Sequence, residues 1–281
     1  MHFELLESLS LPSDTSRPNE DSFASGARFA AVLDGATGLG ELLMPGRSDA
    51  QWLAQFGARR LKAHAEAGDA TLRDALRAAA SDAEKSFTAL RKRAPKENYE
   101  LPFASLMAVS IDDALNAIWF GDCAAVIHSP DNAIMIIGET IVKRAKERER
   151  VTRLAGPAGA AATEVRKIFL PALRASRNKV NTKDSEWLFA PDAACAEHVS
   201  ETRLKVSPGS RLLLATDGFL ALISDYEKYS PESLMTAAET RGLVALGQEL
   251  RAVESEDPEG RLYPRFKKSD DATALLLSVT R

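Results

Sequence analysis

The chain has 281 residues, of which 45% are hydrophobic and 27% charged, and its formal net charge is −4. These values are ordinary for a globular protein with a well-filled core, and without a basic excess they argue against a nucleic-acid-binding protein. The two cysteines and four histidines form no CxxC or HExxH motif, no apolar run approaches the roughly 18 residues of a membrane span, and the N-terminus lacks the form of a signal peptide.

The first predicted elements are a strand and two helices. Residues 27–33 are short and apolar and end at Asp34-Gly35, which predicts a buried strand. Ser48 is a candidate N-cap for a helix over residues 49–66, and a second amphipathic helix is predicted over residues 69–92.

The middle of the chain is rich in short β-prone segments. Four of them, separated by turn signals, predict an antiparallel meander: 103–111, 115–121, 123–128 and 133–137. Two helices are predicted next, a solvated one over the charge-dense residues 139–150 and another over 160–175.

The remaining segments mix strands and helices. Strands are predicted at 185–190, 202–206, 210–216 and 272–279, and helical patterns at 231–255. Antiparallel strands together with paired helices indicate two packed sheets covered by helices. Because we find no internal repeat or linker, we expect one domain over residues 1–281.

Acidic residues occur at the ends of several predicted strands. Asp34 and Asp217 each follow an apolar strand, Asp270-Asp271 precedes another, and Asn19-Glu20-Asp21 forms a fourth cluster. Carboxylates gathered beside a core repel one another and need cations, and hard oxygen ligands suit Mg²⁺ or Mn²⁺. Asp-Gly is also a common turn pair, so spacing alone leaves plain turns open as an alternative.

Five short motifs carry a resemblance to a known family: Asn19–Ser22, Val32–Gly35, Gly121–Cys123, Leu214–Phe219 and Asp270–Thr273. In order and rough spacing they resemble the motifs of the metal-dependent serine/threonine phosphatases of type 2C, in particular the bacterial members. The resemblance extends from about residue 13 to 279. It implies an α+β fold, a four-layer αββα sandwich of two mainly antiparallel β-sheets flanked by pairs of helices.

The resemblance also implies an activity, the hydrolysis of phosphoserine and phosphothreonine in proteins by a hydroxide held between two Mn²⁺ or Mg²⁺ ions. By motif match, Asp34 bridges both ions, Gly35 contributes its carbonyl oxygen to one, and Asp217 and Asp270 bind the other. Glu20 would hold metal-bound water. Asp122 matches a motif that bacterial members associate with a third, weaker ion.

The expected partner is a phosphorylated protein, such as a substrate of a bacterial serine/threonine kinase, and we expect no nucleic-acid or membrane partner. The cysteine usage favours a reducing, cytoplasmic setting.

Three positions depart from the family pattern. Ala36 stands where eukaryotic members have a histidine proposed as general acid, which predicts slower turnover of alkyl than of aryl phosphates. Ser16 stands where the phosphate-binding arginine is usual, and the adjacent Arg17 is our candidate for that role. Asp271 replaces a common asparagine and adds negative charge near the metals.

Two alternative functions stay open at this point. A weaker catalytic set is compatible with a pseudophosphatase that serves as a binding module. The run Gly35–Gly40 after a strand also invites a nucleotide-binding oxidoreductase. Asp34 would repel a diphosphate there, the spacing is GxxGxG, and the next helix starts only near Ser48, all of which oppose that interpretation.

Overall fold

The computed structural model describes residues 1–67, 70–140, 162–263, 265 and 267–281, with the side chains of 162–168 left out. The strands in this part of the chain are β1 (His2–Leu11), β2 (Asp21–Ser25), β3 (Phe29–Gly35), β4 (Ala104–Ile111), β5 (Leu115–Phe120), β6 (Ala124–His128), β7 (Ile134–Ile137), β8 (Ser200–Leu204), β9 (Arg211–Ala215) and β10 (Ala272–Thr280). The α-helices are α1 (Asp49–Glu66), α2 (Leu72–Leu90), α3 (Ala162–Arg177), α4 (Asp217–Ser224), α5 (Pro231–Arg241) and α6 (Leu243–Glu256).

The strands form two five-stranded sheets. One sheet has the order β1-β10-β9-β6-β7 and the other the order β2-β3-β4-β5-β8. Every neighbouring pair within them is antiparallel. Antiparallel sheets of this kind exclude the parallel βαβ architecture that a dinucleotide-binding oxidoreductase would require.

Three separate apolar clusters define four layers. The first lies between the sheets and joins residues of both, among them Val32 and Met107 with Leu214 and Leu275. The second packs α1 and α2 on the outer face of the β2–β8 sheet. The third packs α4, α5 and α6 on the outer face of the β1–β7 sheet. This αββα arrangement confirms the predicted fold class.

Strand β3 is buried on both faces, and its alternation sets the position of Asp34. Ala30 and Val32 face the other sheet, whereas Ala31 and Leu33 face the helices. Because side chains alternate along a strand, Asp34 shares the inter-sheet face of Val32, at the end of the sandwich.

Local sequence signals explain the helices that flank β3. Ser48 caps α1 by accepting a hydrogen bond from the Gln51 amide at 3.1 Å, as predicted. Thr71 caps α2 through a reciprocal capping box with Asp74. The loop between β3 and α1 is held by Asp49, whose carboxylate accepts the amides of Leu43 and Met44 at 2.7 and 2.9 Å.

The predicted four-stranded meander is wrong. β4 and β5 lie in one sheet, whereas β6 and β7 lie in the other. The chain crosses between the sheets at Gly121, whose φ of +66° is a left-handed conformation that favours glycine. A short turn signal and a sheet-to-sheet crossover look alike in sequence.

Two further predicted elements, the strand over 185–190 and the helix over 139–150, are not confirmed. Residues 185–190 form no strand, since only Phe189 pairs, in an isolated bridge to Ala104, and Pro191 cannot donate a ladder hydrogen bond. The helix predicted over 139–150 lies, from residue 141 onward, outside the described residues. Among the helices described, none combines the length and apolar character that crossing a membrane requires.

Candidate metal centre

Three carboxylates from three different elements meet at one end of the sandwich. Asp34 lies near the end of β3, Asp122 lies in the crossover between β5 and β6, and Asp217 opens α4 directly after β9. One carboxylate oxygen of each lies within 4.8 Å of those of the other two. The fold therefore brings together acids that are about 90 residues apart in sequence.

Asp270 lines the same cavity as these three carboxylates. The cavity has a volume of about 330 Å³ and is also lined by Lys267 and Arg177. Asp270 accepts a hydrogen bond from the Lys267 ammonium at 2.8 Å. Four of the predicted metal-binding acids thus border one cavity.

The acids strongly perturb one another. Burial, followed by the negative charges of Asp217, Asp21 and Asp122, raises the pKa of Asp34 well above its ordinary value. Asp217 is buried and Asp34 and Asp122 are half-buried, so each carboxylate makes ionisation of the next more costly. A cation among these oxygens would remove that cost, and oxygen donors suit hard divalent ions. The residues present therefore fit a Mn²⁺ or Mg²⁺ centre.

Asp21 lies behind this centre and is only 4% exposed. It pairs with Asp34 across β2 and β3, and its Oδ2 accepts a hydrogen bond from the Thr216 hydroxyl at 2.8 Å. Its Oδ1 is buried and accepts no hydrogen bond from the described part of the chain. Burial, with the charges of Asp271 and Asp270, raises the pKa of Asp21 to about 7.

The carboxylate of Glu20 is engaged by two hydroxyl groups. Thr37 donates to its Oε2 at 2.6 Å, and Ser48 donates to its Oε1. These contacts tie β2 to the loop after β3 and to the start of α1. Glu20 is not among the residues that line the cavity, so its predicted role toward metal-bound water stays a prediction.

Asp271 serves as a staple between distant segments. Its two carboxylate oxygens accept the backbone amides of Ser13 and Glu20, each at 2.6 Å. The side chain is therefore committed to backbone groups. This contact was not anticipated from its position next to Asp270.

Two glycines allow the backbone to approach closely at the centre. A Cβ atom on Gly35 would lie 2.6 Å from the carbonyl oxygen of Glu20 and 2.8 Å from that of Ala50. A Cβ atom on Gly218 would lie 1.9 Å from the carbonyl oxygen of Asp271. Both positions therefore exclude any side chain, which explains the two Asp-Gly pairs without reference to turns.

The phosphate-binding role of Arg17 stays a prediction, and the cations that line the cavity are Arg177 and Lys267. Arg17 is exposed, and its backbone amide donates to Asp14. Arg177 instead lines the cavity, and its Nη1 donates to the carbonyl oxygen of Thr37 at 2.9 Å. Arg174 on the same helix donates to the carbonyl oxygen of Leu39 at 2.8 Å. Helix α3 thus holds the loop that follows Asp34, a contact that only the tertiary structure reveals.

The cavity wall offers no general acid at position 36. Ala36 lines the cavity, and there is no histidine among the described lining residues. Cys123, beside Asp122, is fully buried, and burial followed by the nearby carboxylates raises the pKa of its thiol. It is therefore an inert side chain of the core.

Comparison with known proteins gives one family and several similar structures. The family model for protein phosphatase 2C matches residues 13–252. No curated protein matches the sequence. The serine/threonine phosphatase PstP/Ppp of Mycobacterium tuberculosis is 18% identical, with a TM-score of 0.60 and coverage of 100% of both chains.

Two further solved structures have the same fold. The catalytic domain of PstP in complex with two manganese ions is 17% identical, with a TM-score of 0.58 and coverage of 100% of this chain and 99% of that one. The serine/threonine phosphatase of S. agalactiae is 13% identical, with a TM-score of 0.56 and coverage of 99% of each chain. At these identities the likeness establishes the fold.

Proposed function

This chain belongs to the protein phosphatase 2C family, and on that premise we propose that it hydrolyses phosphoserine and phosphothreonine in proteins with two bound Mn²⁺ or Mg²⁺ ions. The observation that carries the proposal is the convergence of Asp34, Asp122 and Asp217, whose oxygens lie within 4.8 Å of one another. These three acids occupy the positions of the family motifs.

The proposed ligands follow the motif match. Asp34 would contact both ions, the Gly35 carbonyl one of them, and Asp217 and Asp270 the other. Asp122 would contribute to a third, weaker site. When bound, the ions supply an activated water as nucleophile near neutral pH and offset the charge of the phosphoryl oxygens. Asp34 and its neighbours would hold those ions at the end of the sandwich.

The leaving group receives no help from position 36. The Ala36 methyl cannot donate a proton to the departing oxygen, and general acid assistance is worth roughly 10²–10⁴ in rate. We therefore expect aryl phosphates, whose leaving groups need no proton, to react faster than phosphoserine peptides. An equally fast rate on both would refute this part of the proposal.

Substrate phosphate needs a cationic partner. Arg17 remains our candidate from the sequence. Arg177 is a second candidate, because it lies in the cavity wall. Guanidinium groups suit bidentate phosphate binding. An Arg177→Met variant compared with Arg17→Met, by KM for p-nitrophenyl phosphate, distinguishes the two.

The proposal extends to substrate and setting. A phosphorylated protein, such as a substrate of a bacterial serine/threonine kinase, is the proposed partner. Both cysteines are free and buried, which supports a reducing, cytoplasmic location.

The decisive experiment measures p-nitrophenyl phosphate hydrolysis with Mn²⁺, with Mg²⁺ and with chelator. Asp217→Asn should lower the metal-dependent rate by at least about 10², because an amide is a much poorer ligand for a hard cation. Asp113→Asn, which changes an 83% exposed carboxylate, is the matched control and should leave the rate unchanged.

Two outcomes would contradict the proposal in different ways. Hydrolysis that persists in chelator would exclude the two-metal mechanism. Metal binding without hydrolysis of either p-nitrophenyl phosphate or phosphopeptides would favour a pseudophosphatase that acts as a binding module.

A further inference from the structure

Lys267 places a positive charge within the acidic centre. Its Nζ lies 2.8 Å from Oδ1 of Asp270, and the side chain lines the same cavity as Asp34 and Asp217. The side chain is 37% exposed. Lys267 lies three residues before the Asp270-Asp271 pair and belongs to no family motif quoted above.

The segment that carries Lys267 is braced from both sides. The Arg265 guanidinium pairs with Asp257 at 2.9 Å, and both side chains are almost completely buried. Nε of the same arginine donates to the carbonyl oxygen of Lys268 at 3.0 Å. Beyond it, Arg251 donates to the carbonyl oxygen of Asp270 at 2.9 Å. The backbone that follows the lysine is therefore held at Lys268 and Asp270.

The electrostatic surroundings keep Lys267 charged. Burial favours the neutral amine, but the carboxylates of Asp270 and then Asp34 outweigh it and raise the pKa of Lys267 above its ordinary value. Asp217 adds to this effect. An ammonium in this position offsets part of the repulsion among the acids.

We propose that the Lys267 ammonium is a built-in competitor of the metal at Asp270. It offsets part of the negative charge of the acidic centre in the metal-free protein and leaves Asp270 when a divalent cation binds there. The inference rests on the proposed function in one respect, since it takes Asp270 as a metal ligand. Its physical basis is that an ammonium and a divalent ion repel each other when both contact one carboxylate.

The test is calorimetric titration of the full chain with Mn²⁺ alone, at low ionic strength. Lys267→Met keeps the apolar stem and removes the charge, so we expect the Kd for Mn²⁺ to fall at least about tenfold. Lys267→Arg keeps the charge and should stay within about threefold of the wild type. Lys268→Met removes the adjacent charge outside the cavity wall and is the matched control, also within about threefold.

The unfolding temperature is a second readout, and the effect of Lys267→Met on it should change sign between chelator and saturating Mn²⁺. In chelator, Lys267→Met should unfold at a lower temperature than the wild type, because the acids lose their internal counterion. With saturating Mn²⁺ the order of the two midpoints should reverse. A structural defect alone would lower the midpoint in both conditions.

Some results would overturn the inference. An unchanged Mn²⁺ affinity in Lys267→Met, or an equal gain in Lys268→Met, would show that the lysine does not compete. Weaker Mn²⁺ binding in Lys267→Met would show that it supports the metal-loaded state instead. Because the titration needs no turnover, a wild type that binds Mn²⁺ without hydrolysis would refute the proposed function and leave this inference to be decided by the Kd ratio.

Discussion

Replacement of Asp21 by asparagine should remove one large contribution to the pH dependence of the stability of the metal-free protein. The wild-type carboxyl has a pKa of about 7 in the folded state, against 3.8 for an ordinary aspartate. Between these values the folded state holds a proton that the unfolded state has released. The wild type therefore loses stability as the pH rises from about 4 to 7, and asparagine has no such proton to lose.

The magnitude follows from that difference. Three pH units at about 1.4 kcal/mol each correspond to about 4 kcal/mol of lost wild-type stability at pH 7 and above, of which about 3 kcal/mol falls between pH 5 and pH 8. The asparagine carbonyl can still accept from Thr216, but its amide buries a new donor in place of Oδ1. That donor costs about 1–3 kcal/mol at every pH, so the diagnostic quantity is the change with pH.

Urea unfolding in chelator at pH 5, 6, 7 and 8 measures this directly. The free energy of unfolding of Asp21→Asn relative to wild type should rise by about 3 kcal/mol across the series. Asp113→Asn, at an exposed carboxylate, should show a flat difference within about 1 kcal/mol. Saturating Mn²⁺ should reduce the slope, since nearby cations favour the charged carboxylate. A difference that is constant with pH, or that falls as the pH rises, would refute the reasoning.

Two further substitutions test contacts around the centre. Gly218→Ala should destabilise the protein by about 1–3 kcal/mol and weaken Mn²⁺ binding, because the new methyl would overlap the Asp271 carbonyl; an unchanged melting temperature and affinity would contradict this. Arg265→Met should cost about 3 kcal/mol in urea unfolding, since it leaves the buried Asp257 carboxylate without its ion pair, and a loss below about 1 kcal/mol would show that backbone amides suffice.

Local signals made part of the fold predictable. Helix α1 begins and ends where the sequence indicates, because Ser48 supplies cap chemistry within its own first turn. The β3 strand is likewise visible as an apolar run. The local structure at Asp217 was harder to predict. The Asp-Gly pair suggests a turn, whereas Asp217 is the first residue of α4. Position 218 needs a glycine because the carbonyl oxygen of Asp271 lies so close to it. That contact joins residues some 50 positions apart, so the local sequence does not reveal it.

Pairing between distant strands could not be predicted from one sequence. β1 escaped notice because its partner β10 lies some 270 residues away, and β6 was assigned to the wrong sheet because turns and crossovers share the same residues. Asp34, Asp217 and Asp270 were visible as acids at strand ends, and the family motifs added Asp122. Lys267 and Arg177 belong to no motif and reach the cavity only through tertiary structure.

The pairing of β1 with β10 also determines when the acidic centre can assemble in a newly synthesised chain. His2 pairs with Thr280, and β10 lies between β1 and β9, so one sheet stays divided until residue 280 has left the ribosome. Contacts of such large sequence separation form slowly. The Asp271 staple joins Glu20 to the same late segment, and so the centre remains unformed until β10 is available. A nascent chain therefore lacks the assembled acidic centre before β10 has left the ribosome.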